Sequence, residues 1–92
     1  VNSEQHLLVI LGEECAETAH RVSKAIRFGM DDIDPNQHET AKRILEREYA
    51  EIIAVAEMLG LKARDEDKAA KKERVKKYMD YSREVGTLER ER

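Results

Sequence analysis

Two pairs of carboxylates stand out by their spacing. Glu14 and Glu17 are three residues apart, and so are Glu48 and Glu51. On a helix, positions i and i+3 point the same way, so each pair presents two carboxylates together. Glu14 borders an apolar stripe. Glu48 falls near the middle of the stripe Ile44, Ile52 and Val55, with Glu51 at its edge, whereas Glu46 and Glu57 fall on the opposite, polar face. Burying an unpaired carboxylate is costly, and like charges held close raise each other's pKa. A divalent cation removes that penalty, and all-oxygen ligation selects the hard ions Mg²⁺ or Mn²⁺. The plainer reading is a solvated helix surface, with Glu17 and Arg21 as an ordinary i, i+4 ion pair. Two such motifs, each touching an apolar stripe, bring the chemical reading level with the plain one.

Three helices must position these groups. Gly and Pro are scarce, so the few present mark boundaries. Gly29 and the stretch from Asp31 to Asn36 form the first loop, Gly60 marks a second break, and Gly86 ends the third helix before a tail from Thr87 to Arg92. The helices are predicted over about 3–28, 38–59 and 67–85, each limit good to about 2–4 residues, with Asn2 or Ser3 capping the first. Helix one carries a stripe of Leu7, Leu8, Leu11, Cys15, Ala19, Val22 and Ile26, with Val9 and Ile10 off it; helix two carries Ala41, Ile44, Ile52, Val55 and Leu59. Helix three has a weaker set, Val75, Tyr78, Ser82 and Val85. Two good stripes and one poor one make a thin core. The expected fold is therefore an all-α bundle completed by homo-oligomerisation, a homodimer or dimer of dimers with a four-helix core across two chains.

The bulk numbers agree. At 92 residues the chain is read as one domain, 1–92, and a chain so short buries only about 60% of its unfolded surface. Trp is absent and aromatics are 4%, so the core is aliphatic. A net charge of −3 with interspersed signs argues against a binder of nucleic acid polymers. The single Cys15 excludes an intramolecular disulfide and fits a reducing cytoplasm. The apolar run from Leu7 to Gly12 is too short to span a bilayer and lacks signal-peptide flanks.

Glu13-Glu14-Cys15-Ala16-Glu17 resembles the E-E-x-x-E motif of the MazG-like nucleoside triphosphate pyrophosphohydrolases, and Glu48-Tyr49-Ala50-Glu51 resembles their E-x-x-D motif. The segments from Ser23 to Gly29 and from Lys77 to Arg83, with the ending Gly86-Thr87-Leu88, are similar to short phage-type members. Glu51 departs from the usual Asp by one methylene, and the 30 residues between Glu17 and Glu48 are on the long side. The resemblance implies Mg²⁺-dependent hydrolysis of a nucleoside triphosphate to monophosphate and pyrophosphate. It implies Glu14, Glu17, Glu48 and Glu51 as metal ligands, with Glu13 assisting as an outer ligand or by orienting water. Water attack at the α-phosphorus needs an activated water and neutralised phosphate oxygens, which metal ions supply.

Arg21 and Lys24 follow Glu17 by one and two turns and are candidates to clamp phosphate oxygens; surface salt bridging is the plain reading. Lys72 and Lys76, i and i+4 on a basic third helix, are candidates to reach a triphosphate. Tyr78 reads as core, although it or Tyr81 could stack on a base. Cys15 reads as a small core hydrophobe. Two other functions compete. Glu17-Thr18-Ala19-His20 is an E-x-x-H motif of the ferritin-like di-iron type, completed across a dimer by Glu48 or Glu51. The third reading is a non-catalytic helical dimer or adaptor.

Overall fold

A computed structural model describes residues 1–90 of the chain, so the last two residues of the expected tail lie outside the described residues. Helices α1 (Ser3–Phe28), α2 (Ala41–Met58) and α3 (Asp65–Glu84) account for the regular structure, and the described residues form no strand. The chain divides into two compact units, 1–62 with α1 and α2, and 63–92 with α3.

In the first unit, α1 opens on a capping box. Asn2 accepts the Gln5 backbone N–H while the Gln5 side chain accepts the Asn2 N–H, satisfying two end donors reciprocally. Thr40 caps α2 by accepting the Arg43 N–H at 3.2 Å. At the end of α2, Gly60 at φ 75° lets the Leu61 N–H reach back to the Ala56 carbonyl at 3.0 Å, and its own N–H to Glu57 at 2.9 Å. A side chain at this left-handed position would be strained, which is why a glycine ends the helix. Helix two begins three residues later than predicted because His38 and Glu39 belong to the loop and Thr40 is the cap.

The packing face of α1 differs from the predicted stripe. The residues that lose solvent are Leu7, Ile10, Leu11, Glu14, Thr18, Arg21, Lys24 and Ala25. Cys15, Ala19, Val22 and Ile26 are exposed, so Cys15 is not a core hydrophobe. Apolar character lies on two sides of α1. The richer side does not face α2; the side that loses solvent also carries Glu14, Thr18, Arg21 and Lys24. On α2 the predicted stripe holds: Ala41, Ile52, Val55 and Leu59 are half-buried, and Ile44 is buried at 2% exposure. One fully buried side chain is a thin core.

The loop from Gly29 to Thr40 is closed by hydrogen bonds rather than by apolar packing. Asp34 is its hub. Its N–H donates to the Glu39 carbonyl, and its own carbonyl accepts from His38. One carboxylate oxygen accepts the Asn36 and Gln37 N–H groups at 2.8 and 3.0 Å. The other takes Arg21 of α1 at 3.1 Å. His38 adopts φ 57°, the one non-glycine residue with positive φ among those described.

The second unit is α3 and the turn after it. Among its described residues only Ser82, Arg83 and Leu88 are even half-buried; Tyr78, expected in the core, is 69% exposed. The helix has acidic residues in its first turn, which favours its N-terminus electrostatically. It ends where Thr87 and Leu88 turn back onto the Ser82 carbonyl. No helix of the described residues is long and apolar enough to cross a membrane.

Candidate metal centre

Glu14 and Glu48 project from the facing sides of α1 and α2 because each occupies a position that the helical repeat gives to the packed face. Glu17 and Glu51 sit one turn further along their helices and nearer to solvent. The four side chains each offer a carboxylate oxygen, and these oxygens all lie within 4.8 Å of one another. Glu13 is exposed and outside this group, and His20 is not among its members either.

The cluster is electrostatically uncomfortable. One oxygen of Glu14 and one of Glu48 are sealed from solvent with no hydrogen-bond partner. A hydrogen bond shared with Glu51 holds the Glu14 carboxyl above its usual pKa, with burial and repulsion from Glu51, Glu17 and Glu48 adding to it. Glu48 is raised mainly by loss of water around it, then by repulsion from Glu51 and Glu17, against the pull of Arg21. Two orphaned buried oxygens inside an all-carboxylate group are the donor set that a hard divalent cation takes.

Two arginines stand near enough to compensate these charges, and both are engaged elsewhere. Arg21 is salt-bridged to Asp34 rather than to Glu17, and both side chains are largely buried. Arg47 of α2 grips Glu39 with one guanidinium nitrogen and donates from the other to Gln37 at 3.1 Å. Its hydrogen bonds, and then its charge, hold Glu39 below the ordinary carboxylate range against the effect of burial. Backbone N–H groups and Arg21 do the same for Asp34. The loop acids thus occupy the cations while the four glutamates keep their repulsion. Sequence spacing did not identify Asp34, Glu39 or Arg47, since their pairing depends on how the loop folds back.

Of the predicted phosphate-binding residues, Arg21 lines an open hollow of about 450 Å³ with Glu17, His20 and Glu48. Lys24 is half-buried one turn further along α1. Lys72 and Lys76 belong to the other unit, where they border a shallow hollow with Val75 and Met79. In comparisons with known proteins, no family, no curated sequence and no solved structure matches this chain.

Proposed function

We propose that the chain hydrolyses a nucleoside triphosphate to monophosphate and pyrophosphate, with divalent metal held by Glu14, Glu17, Glu48 and Glu51. The carrying observation is the four-carboxylate group with two buried oxygens left without partners. Mg²⁺ or Mn²⁺, when bound, supplies charge neutralisation at phosphate oxygens and acidifies a water. The chain's own residues hold that charge in place and aim it. Glu14 and Glu48 fix the buried side of the site, Glu17 and Glu51 its open side, and Glu13 orients water at its edge. Arg21 and Lys24 bind phosphate oxygens along α1. No side-chain nucleophile is needed, since water attacks the α-phosphorus and pyrophosphate leaves.

Hydrolysis in ¹⁸O-labelled water with Mg²⁺ tests this bond choice. The label is expected in the nucleoside monophosphate, with unlabelled pyrophosphate as the other product. Release of orthophosphate and a nucleoside diphosphate would refute it.

The same reading includes a second copy of the chain. On α1 the positions Leu8, Gly12, Cys15, Ala19, Val22 and Ile26 form an uncharged strip along a helix of an otherwise 40% charged protein, and all six are exposed. Val22 is 42% and Ile26 80% exposed. An uninterrupted strip of this length marks a contact surface, and a core that among the described residues holds only Ile44 needs more burial than one chain provides. Sedimentation at micromolar concentration is expected to show a dimer or a dimer of dimers. A well-folded monomer at that concentration would sink this part of the proposal.

A further inference from the structure

One cavity in the α1–α2 unit is not used by the metal chemistry. It holds about 490 Å³ and lies between the last turns of α1 and the loop, floored by Ile44 and walled by Phe28, Ile33 and Pro35. Its volume falls within the range of small-molecule sites, roughly 300–1,000 Å³. Phe28 and Ile33 are 58% and 61% exposed, so both offer apolar surface to a ligand in the cavity. Phe28 is the chain's single phenylalanine, and the Arg27 guanidinium lies over its ring at 5.1 Å from the centroid.

The polar groups of the cavity divide into two kinds. Arg21 and Asp34 are bound to each other, and Asp34 is spent on the loop. Lys24 and Asp32 also line the cavity. Among the described residues neither side chain has a hydrogen bond or ion pair, so one free cation and one free acceptor face an aromatic and aliphatic enclosure. Arg21 borders both this cavity and the hollow beside Glu17 and Glu48. Along α1, at about 1.5 Å per residue, the order is therefore carboxylates, arginine, lysine, aromatic ring.

We infer that this cavity receives the base of the nucleotide. The ring stacks against Phe28, an N–H of the base donates to Asp32, and Lys24 meets the oxygens of the sugar or its phosphate. This rests on the pyrophosphohydrolase reading for the phosphate end but not for the cavity itself, because stacking and the Asp32 contact require neither metal nor phosphate.

The test uses nucleosides, which carry no phosphate. Adenosine, guanosine, cytidine and uridine are titrated in chelator into the full chain with labelled Ile methyl, Phe ring and Glu groups, and read by NMR. At least one nucleoside is expected to shift the Ile33, Ile44 and Phe28 signals saturably. Phe28→Ala should weaken that binding about tenfold or more, and Phe28→Trp should restore it. Asp32→Ala should weaken binding while leaving the Mg²⁺ response of the Glu14 and Glu48 signals unchanged. A parallel titration with Mg²⁺ and inorganic tripolyphosphate reads the carboxylate end alone. If tripolyphosphate perturbs the glutamates but no nucleoside perturbs the cavity, the base site is wrong and the phosphate reading survives. If nucleosides bind and tripolyphosphate does not, the base site stands and the hydrolysis reading fails. Equal nucleoside binding by wild type and Phe28→Ala would overturn the inference.

Discussion

Replacing Glu48 by glutamine is expected to lower Mg²⁺-dependent hydrolysis by roughly 100-fold or more while raising the melting temperature of the metal-free protein. Glu48 sits in the packed stripe of α2 with one oxygen sealed and unpartnered, and it repels Glu17 and Glu51. Glutamine keeps the shape, removes the charge and can donate to a neighbouring carboxylate. The gain should be about 3–5 °C, a figure reduced for solvent access to the cluster. The sign follows from the direction of the shift. Burial and like charge hold the Glu48 carboxyl above its unfolded pKa. Wild type therefore carries no penalty below the unfolded value and loses stability as pH rises from there through the folded one. The advantage of Glu48→Gln should be full at neutral pH and shrink toward zero as pH falls below the ordinary glutamate range. Mg²⁺ should reverse the order, since wild type gains RT ln(1 + [L]/Kd), about 2.7 kcal/mol at 100 times Kd, and the variant binds weakly. Melts of both proteins, with chelator and with Mg²⁺, decide it. A lower-melting variant in chelator with a wild-type Mg²⁺ response would remove Glu48 from the site.

The second large effect is expected at Asp34, which touches no metal ligand. Asp34→Asn keeps an oxygen for the Asn36 and Gln37 N–H groups but gives up the charge that holds Arg21. Freed, the guanidinium is drawn to the nearest negative charge, and it already pulls on Glu48. Mg²⁺ affinity should fall about tenfold, with only a small loss of melting temperature. Asp34→Ala loses the turn as well and should melt several degrees lower. The pH signature is opposite to that of Glu48. Backbone N–H groups and Arg21 hold Asp34 below its unfolded pKa. Its stabilisation is present above the unfolded value and lost as pH falls through the folded one. Acid should thus destabilise wild type more than Asp34→Ala. Parallel Mg²⁺ titrations and melts of the two variants measure this. Unchanged Mg²⁺ affinity in Asp34→Asn would show that Arg21 stays where it is without its partner.

The helices and the glutamate cluster were legible because they rest on periodicity. Caps, glycines and the repeat of α2 are local, and Glu48 inside an apolar stripe is visible in one dimension. The facing side of α1 was not. With apolar residues on two sides, periodicity alone assigned the packed face to Cys15, Ala19, Val22 and Ile26. Leu7 and Leu11 of the predicted stripe do turn inward, but Leu8 is exposed, and beyond Leu11 it is Glu14, Thr18 and Arg21 that turn inward. Arg21 favours that face by pairing with Asp34, 13 residues away in the chain, whereas Glu14 lies there against the repulsion of Glu51, Glu17 and Glu48. For the same reason the Asp34 hub and the Arg47–Glu39 pair could not be read from spacing. The sequence reading of α3 placed Tyr78 in a core that its own unit does not contain.

That exposed helix has a thermodynamic consequence. Most helical stability in a protein comes from the packing of an apolar face, α3 buries little of its own, and the surface pairs Asp65–Lys68 and Asp80–Arg83 add little to it. Taken by itself, α3 is expected to exchange its amide hydrogens faster than the residues around the buried Ile44 do. Any surface that covers Val75 and Met79 should slow that exchange, because α3 then opens only together with the contact that covers it.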